Sequence, residues 1–451
     1  MGSTAFELAC FVTETTSGTV PPKAREYASM LIASTVASAA SGLAENSCQI
    51  MRQLELERGG RQDATMWFAQ GAKVPLAAAG RVNALMSDSA ASDDSDLRNM
   101  VHPGTTVAAS SLAAAELTGA SGGDILDAIV LGYEVAGRIN TAVIPGLREK
   151  GYHGCIVATF GAAASAGRLL GLDSIKMTHA LSLAASSVGG IMAAAKTSTS
   201  REYHAGLAVM LGMEAALAAG RGYLGEPTIF DAAEGFFHIY GEGPKAPQVQ
   251  RMCADKSTWH ILTNMAIKMV PGGHTLHAIA EAAVRAAREG DVSSGDVESI
   301  TVSMPGVTKL IGPQYPEDLV GMIHSSAFFL SSAIVKKDFT WGQLSMSNLS
   351  DPSIRELLGK VQVGPPPRQD LERFCEGGIV SITVKSGRTY TSTVYAPSGY
   401  SLHGIDWADV ERKYKSLLPL AGVSGERISS GWTLIRNFDT APNASALTSL
   451  L

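Results

Sequence analysis

Charge is scarce in this chain. Lys, Arg, Asp and Glu make up 17% of its 451 residues, against about 25% in an average soluble domain. The formal net charge is -6, and Lys23, Arg25 and the Arg58–Arg61 neighbourhood are scattered, not clustered. No basic field is available for nucleic acid. Cysteine is also rare: Cys10, Cys48, Cys155, Cys253 and Cys375 stand far apart, and no CxxC pair occurs. A disulfide framework and a Cys-ligated zinc or iron–sulfur site are therefore disfavoured, and a reducing, cytoplasmic setting is expected. Long apolar runs are missing too. The stretch Ile125–Val135 is interrupted by Asp127 and Glu134, and none approaches the roughly 20 residues that a spanning helix needs. Glu7 comes early with no basic segment ahead of an apolar run, so a signal peptide and a membrane partner are not expected. There is no GxGxxG after a strand, no P-loop and no GxSxG elbow, which argues against dinucleotide, nucleotide and esterase chemistry.

Small residues fill the deficit. Glycine alone contributes 47 positions, more than loops require, and Ala/Gly faces let helices pack closely. At this length two domains are expected. Residues 1–257 read as helix after helix: Glu26 to Ala40, Val107–Leu117 stopped by Gly119, Ile125–Ile139, Val157–Leu170, Ser174–Val188 and His204–Ala219. From 258 to 397 the texture changes. His274–Glu289 is amphipathic, with Leu276, Ile279, Ala280, Ala283, Val284 and Ala287 on one stripe. Val297–Met304 alternates as a strand does. Ile379–Lys385 and Arg388–Tyr395 alternate around Ser386–Gly387, a two-residue hairpin signal. The fold expected is mainly α: a large all-helical domain, 1–257, completed by residues 398–451, and a smaller α+β domain inserted at 258–397.

Three segments could carry chemistry. Asp93-Asp94-Ser95 and His102-Pro103-Gly104 precede an Ala-rich helix; they could orient a base and bind an anion, or simply form a solvated loop with a helix cap. His153 lies between Tyr152 and Gly154 at a helix entrance, where a lone histidine is more often structural. Lys268 leads through Pro271-Gly272-Gly273 to His274 and His277, and a lysine near helix-start amides suits a carboxylate. Two histidines three apart could hold a metal, but no HExxH pattern or third ligand is nearby, so no metal is expected. Arg201 offers a planar fork for a carboxylate, or an ordinary ion pair with neighbouring Glu202.

These segments resemble the MmgE/PrpD family, which includes 2-methylcitrate dehydratase, cis-aconitate decarboxylase and iminodisuccinate epimerase. The resemblance runs in order through Asp93-Asp94-Ser95…His102-Pro103, Gly132-Tyr133-Glu134-Val135, Gly151-Tyr152-His153, Leu169-Leu170-Gly171-Leu172 and Ala180-Leu181-Ser182-Leu183-Ala184. It continues through Gly235-Phe236-Phe237, Lys268…Pro271…His277 and the Ile379–Tyr395 hairpin. It implies a helical domain, an α+β lid, an active site between them, a homodimer and no cofactor. It places the site on Asp93, His102, His153, Lys268 and His277, with Asp94 and His274 as neighbouring candidates. Arg201 stands near the place of a family lysine, and Lys196 is an alternative filler. Two departures are expected to matter. Ala91 replaces an Asp that usually opens the acidic loop, and Phe329 takes the place of a tyrosine in decarboxylase-like members. A decarboxylase that relied on that tyrosine is thereby disfavoured.

The resemblance implies proton removal or return beside a carboxylate. A weak carbon acid needs a base, plus cations to hold enolate charge. His102 and His153 are the acid/base candidates, Asp93 or Asp94 would orient one of them, and Lys268 and Arg201 would bind a small carboxylate substrate. The expected enzyme is a dehydratase-type lyase. An epimerase is the alternative, favoured by the loop spacing, and an inactive scaffold is the third reading.

Overall fold

The computed structural model describes residues 2–98, 101–197, 200–247, 249 and 258–451, except the side chains of Lys196 and Thr197. The chain divides into two compact units, Met1–Ile267 with Ser401–Leu451, and Lys268–Tyr400. The divisions thus fall at 267/268 and 400/401, ten and three residues beyond the expected 257/258 and 397/398. The cause of the first shift is local: Met265–Ile267 is a strand paired antiparallel with Asp94–Asp96, which ties it to the helical unit.

The helical unit is built from small-residue helices, and the sequence reading marks those at Pro22–Gly42, Pro103–Thr118, Gly122–Val143, Cys155–Leu169, Ser174–Ser187 and Arg201–Gly220. A further main helix, Leu76–Ser89, lies outside that reading. Glycine permits their close approach. A Cβ on Gly212 would stand 2.5 Å from the Thr159 carbonyl, and one on Gly132 would stand 2.7 Å from that of Gly161. The Pro103 helix ends where expected, with Gly119 in the left-handed region at φ 70°. Helices Trp407–Leu417 and Gly425–Arg436 follow the insertion in sequence and belong to this same unit. Among the described residues no single helix is long and apolar enough to cross a membrane. Only the bent pair Pro22–Gly42 and Asn46–Arg58 passes by length and composition, and the first of these is almost wholly buried within its unit.

The second unit holds a four-stranded sheet. Its strand order is Val361–Val363, Val297–Ser303, Gly378–Val384, Thr389–Val394, with the first pair parallel and the others antiparallel. Helices His277–Glu289 and Ser326–Lys336 cover one apolar face. Two expectations need correction. His274–Leu276 forms a short 3-10 turn, and the α-helix starts only at His277. The hairpin turn has three residues, not two. The amide of Val384 donates to the Arg388 carbonyl, the amide of Gly387 donates to that of Val384, and Gly387 sits at φ 83°. That is a type I turn closed by a left-handed glycine.

Candidate active site

The acidic loop is shaped by burial. Residues Ser92 to Asp96 are all buried, although three of the five are aspartates. Each carboxylate must therefore find partners. Asp94 finds them at the Pro103 helix. Proline at the first position leaves no amide there to satisfy, and the next two amides, Gly104 and Thr105, donate to the two Asp94 oxygens at 3.0 Å each. Only glycine at 104 allows this, since a Cβ would lie 2.5 Å from the Asp94 carboxyl carbon. Tyr133 adds its hydroxyl at 3.4 Å. Burial, and the adjacent Asp93 charge, still push the Asp94 carboxyl up to about 6, with His102 and the two amides opposing the rise. Asp94 is thus occupied as a helix cap.

The neighbouring carboxylate does something different. Asp93 Oδ2 lies 3.0 Å from His102 Nδ1. The carbonyl of Asp94 approaches the same nitrogen at 2.5 Å, and Ser95 Oγ at 3.4 Å. A carbonyl can only accept, so Nδ1 carries the proton and Nε2 carries the lone pair. The Asp93 side chain is 1% exposed and the His102 ring 24%. The Asp94 carbonyl therefore fixes one tautomer of a partly exposed imidazole, and the buried Asp93 carboxylate lies beside the same nitrogen.

His153 precedes the Cys155 helix and meets His204, with the two Nδ1 atoms 3.3 Å apart. Burial, then the charges of His102, His204 and Arg201, hold the His153 imidazole down to about 3. It is neutral at physiological pH. Burial also lowers His204, with Asp88 acting in the opposite direction. Cys155 is buried beside them, and the three ligand-capable atoms lie within 4.8 Å of one another. Among the described residues, the group of three ligand-capable side chains occurs here, away from the His274/His277 pair considered from the sequence.

Arg201 opens the helix Arg201–Gly220, and the ion pair with Glu202 weighed from the sequence does not form. Its Nε donates to Asp88 Oδ2 at 3.0 Å and its Nη2 to the Asp88 carbonyl at 2.6 Å, while Glu202 accepts from Ser47. Burial works against the guanidinium charge, but Asp88, Asp93 and Glu202 together raise its affinity for the proton. Nη1 makes no hydrogen bond among the described residues. The side chain of Lys196, the alternative, lies outside the described residues.

In the second unit, Lys268, His274 and His277 are all buried. The two histidine rings are 4.6 Å apart, and Phe329 stacks on His277 at 6.3 Å with an interplanar angle of 15°. Phe329 is fully buried against Phe339 as well, so this corner is aromatic with no hydroxyl on the Phe329 ring.

Within the helical unit the structure brings Asp93, His102, His153 and Arg201 into one electrostatic neighbourhood. Sequence reasoning missed three members of it: Asp88, Cys155 and His204. His204 follows Arg201 by three residues on a helix, the spacing that shares a face, and this was the available signal. Asp88 sits inside an Ala-rich helix with nothing to mark it.

Models of the MmgE/PrpD N-terminal domain and C-terminal domain match residues 6–248 and 271–429. Among curated proteins, cis-aconitate decarboxylase of Homo sapiens is 28% identical over 403 residues, covering 86% of this chain and 82% of that protein. Its counterpart from Mus musculus is 27% identical, covering 86% and 81%. The cis-aconitate decarboxylase-like protein oryM of Aspergillus oryzae is 24% identical, covering 73% and 71%. With both domain models matched in order across most of its length, this chain belongs to the MmgE/PrpD family.

Proposed function

We propose that the chain is a lyase that removes a proton from a carbon beside a carboxylate of a small polycarboxylic acid, with loss of water as the outcome. The Asp93–His102 pair carries this reading. A histidine whose Nδ1–H donates to a backbone carbonyl, with a buried carboxylate oxygen 3.0 Å from the same nitrogen, presents Nε2 as the proton-accepting atom, the arrangement that general base chemistry requires. The proton that His102 takes up goes on to the departing hydroxyl, which leaves as water, and His153, kept neutral by burial, passes it on by accepting at one ring nitrogen as it releases at the other. Arg201 supplies positive charge for a substrate carboxylate and the developing enolate. The relatives named above are lyases by name, which supports this class.

Loss of carbon dioxide is the second reading, favoured by those same names. Against it stands Phe329, a ring that cannot donate a proton and is sealed by His277 and Phe339. Incubation in heavy water with cis-aconitate and with a panel of hydroxylated di- and tricarboxylates separates the readings. Expected are deuterium at the substrate carbon and the absorbance of a new conjugated double bond, without release of carbon dioxide. Carbon dioxide release from cis-aconitate would establish the second reading instead. Exchange with inversion and no double bond would point to an epimerase, and no exchange with any member of the panel would overturn the lyase assignment.

A further inference from the structure

Cys155 has no part in the reaction proposed above, yet its placement is specific. It begins the Cys155–Leu169 helix, is buried, and donates its S–H to the Gly189 carbonyl at 3.4 Å. Its Sγ and one ring nitrogen from each of His153 and His204 lie within 4.8 Å of one another. The two Nδ1 atoms stand 3.3 Å apart. A tetrahedral ion with metal–nitrogen bonds of roughly 2.0–2.1 Å sets two nitrogens about 3.3 Å apart, so the imidazole pair already has the edge such an ion needs. Gly190 forms the adjoining wall. A Cβ there would stand 2.4 Å from Cys155 Sγ, 3.6 Å from His153 Cβ and 3.8 Å from His204 Cγ. At φ 147° the backbone also disfavours any side chain at that position. A side chain at that position would therefore collide with the thiol.

We propose that His153, Cys155 and His204 bind one zinc-type divalent cation, with the fourth coordination position left to a small exogenous ligand. Two imidazoles and a sulfur select a borderline-soft ion over magnesium or calcium, which take oxygen. On binding, the Cys155 S–H bond breaks, a sulfur–metal bond forms and the proton passes to solvent. The proton shared between the two Nδ1 atoms moves to Nε2 of the ring that held it, so that both Nδ1 lone pairs face the ion. Thiolate and Asp88 balance the cation, while Arg201 and Arg148 oppose it. Occupancy would withdraw His153 from proton transfer, so in the reading above the ion inhibits; binding itself is independent of that reading.

The test is a titration of chelator-stripped full-length protein with cobalt(II), followed by displacement with zinc. One equivalent should bind with a sulfur-to-metal charge-transfer absorption, and zinc should remove the absorption. Cys155→Ser should abolish that band and weaken binding by more than about tenfold. His204→Ala and Gly190→Ala should weaken binding too, which keeps the test decisive if one variant misfolds by circular dichroism. Absence of the band in the wild-type protein, or its survival in Cys155→Ser, would overturn the proposal.

Discussion

Asp93 and His102 form a directional pair: the buried carboxylate stands 3.0 Å from Nδ1, and the adjoining Asp94 carbonyl, 2.5 Å from the same atom, fixes which ring nitrogen holds the proton. General acid–base groups contribute on the order of 10²–10⁴ in rate. His102→Gln should therefore lower kcat by about 10²–10⁴ in the deuterium-exchange or double-bond assay, with KM little changed. Asp93→Asn keeps the shape but removes the charge, and should cost less than the histidine variant. If His102→Gln exchanged protons at the wild-type rate, the pair would not be the base.

Ala91 pays for the sharp entry into the acidic loop. It sits at φ 50°, nearly fully buried, with its amide on the Asp88 carbonyl. The left-handed region costs an L-residue roughly 1–2 kcal/mol, a cost glycine avoids. Glycine returns part of that gain through its looser unfolded chain. Ala91→Gly should therefore raise stability by about 0.5–1 kcal/mol, and Ala91→Val should lower it. Denaturant unfolding of both variants measures this, and a destabilised glycine variant would show that the backbone is not strained there.

The helices were legible because Ala and Gly patterns and glycine stops are local signals, as at Gly119. So was the existence of the inserted α+β unit, from alternation in Val297–Met304 and the hairpin. The candidate site was legible in part. His102 and His153 are rare residues in turn-rich segments, so they could be singled out, and Asp93 came with them. Asp88 could not be, since its role depends on Arg201 reaching it across 113 positions. Nor could the distinct work of Asp93 and Asp94, adjacent and chemically identical, which follows from strand pairing with Met265–Ile267. Pairing between distant segments leaves no periodic trace.

Glu134, Arg138 and His260 make a buried charge cluster whose strength should depend on pH. Glu134 accepts from Arg138 Nε at 2.8 Å and from the His260 amide at 2.7 Å, and its carboxylate meets His260 Nδ1 at 3.2 Å. Burial disfavours the Glu134 charge, but His260 and Arg138 outweigh it and hold the carboxyl below its ordinary 4.5. Burial likewise opposes the His260 charge, but Glu134 outweighs it and raises the imidazole above its ordinary 6.5. The glutamate contribution is present above pH 4.5 and falls away as pH drops through the lowered value. The histidine contribution is complete below pH 6.5 and fades as pH rises through the raised value. Between these limits the cluster is strongest. Glu134→Ala should cost about 3–5 kcal/mol and flatten the pH dependence of the melting temperature above neutrality. An equally steep profile in the variant would show that other groups set it.

Lys413 connects the end of the chain to the acidic loop. It lies on the Trp407–Leu417 helix with 2% exposure, and its ammonium donates to Ser34 Oγ at 2.8 Å and to the Ser92 carbonyl. Ser38 Oγ donates to that same carbonyl at 2.8 Å. Two donors thus clamp the residue immediately before Asp93, and hydrogen bonds from a charged donor contribute about 1.5–3 kcal/mol. Lys413→Met keeps the length of the side chain and removes the ammonium. It should lower stability by about 1.5–3 kcal/mol and, by loosening Asp93, reduce kcat more than it raises KM. Lys415→Met is the control, because Lys415 is half-exposed and pairs with Glu411 on its own helix. A merely structural Lys413 would lose stability while the folded fraction kept its wild-type kcat and pH profile. Turnover measured well below the melting temperature, normalised to folded protein, separates the two, and an unchanged kcat in Lys413→Met would reject the positioning role.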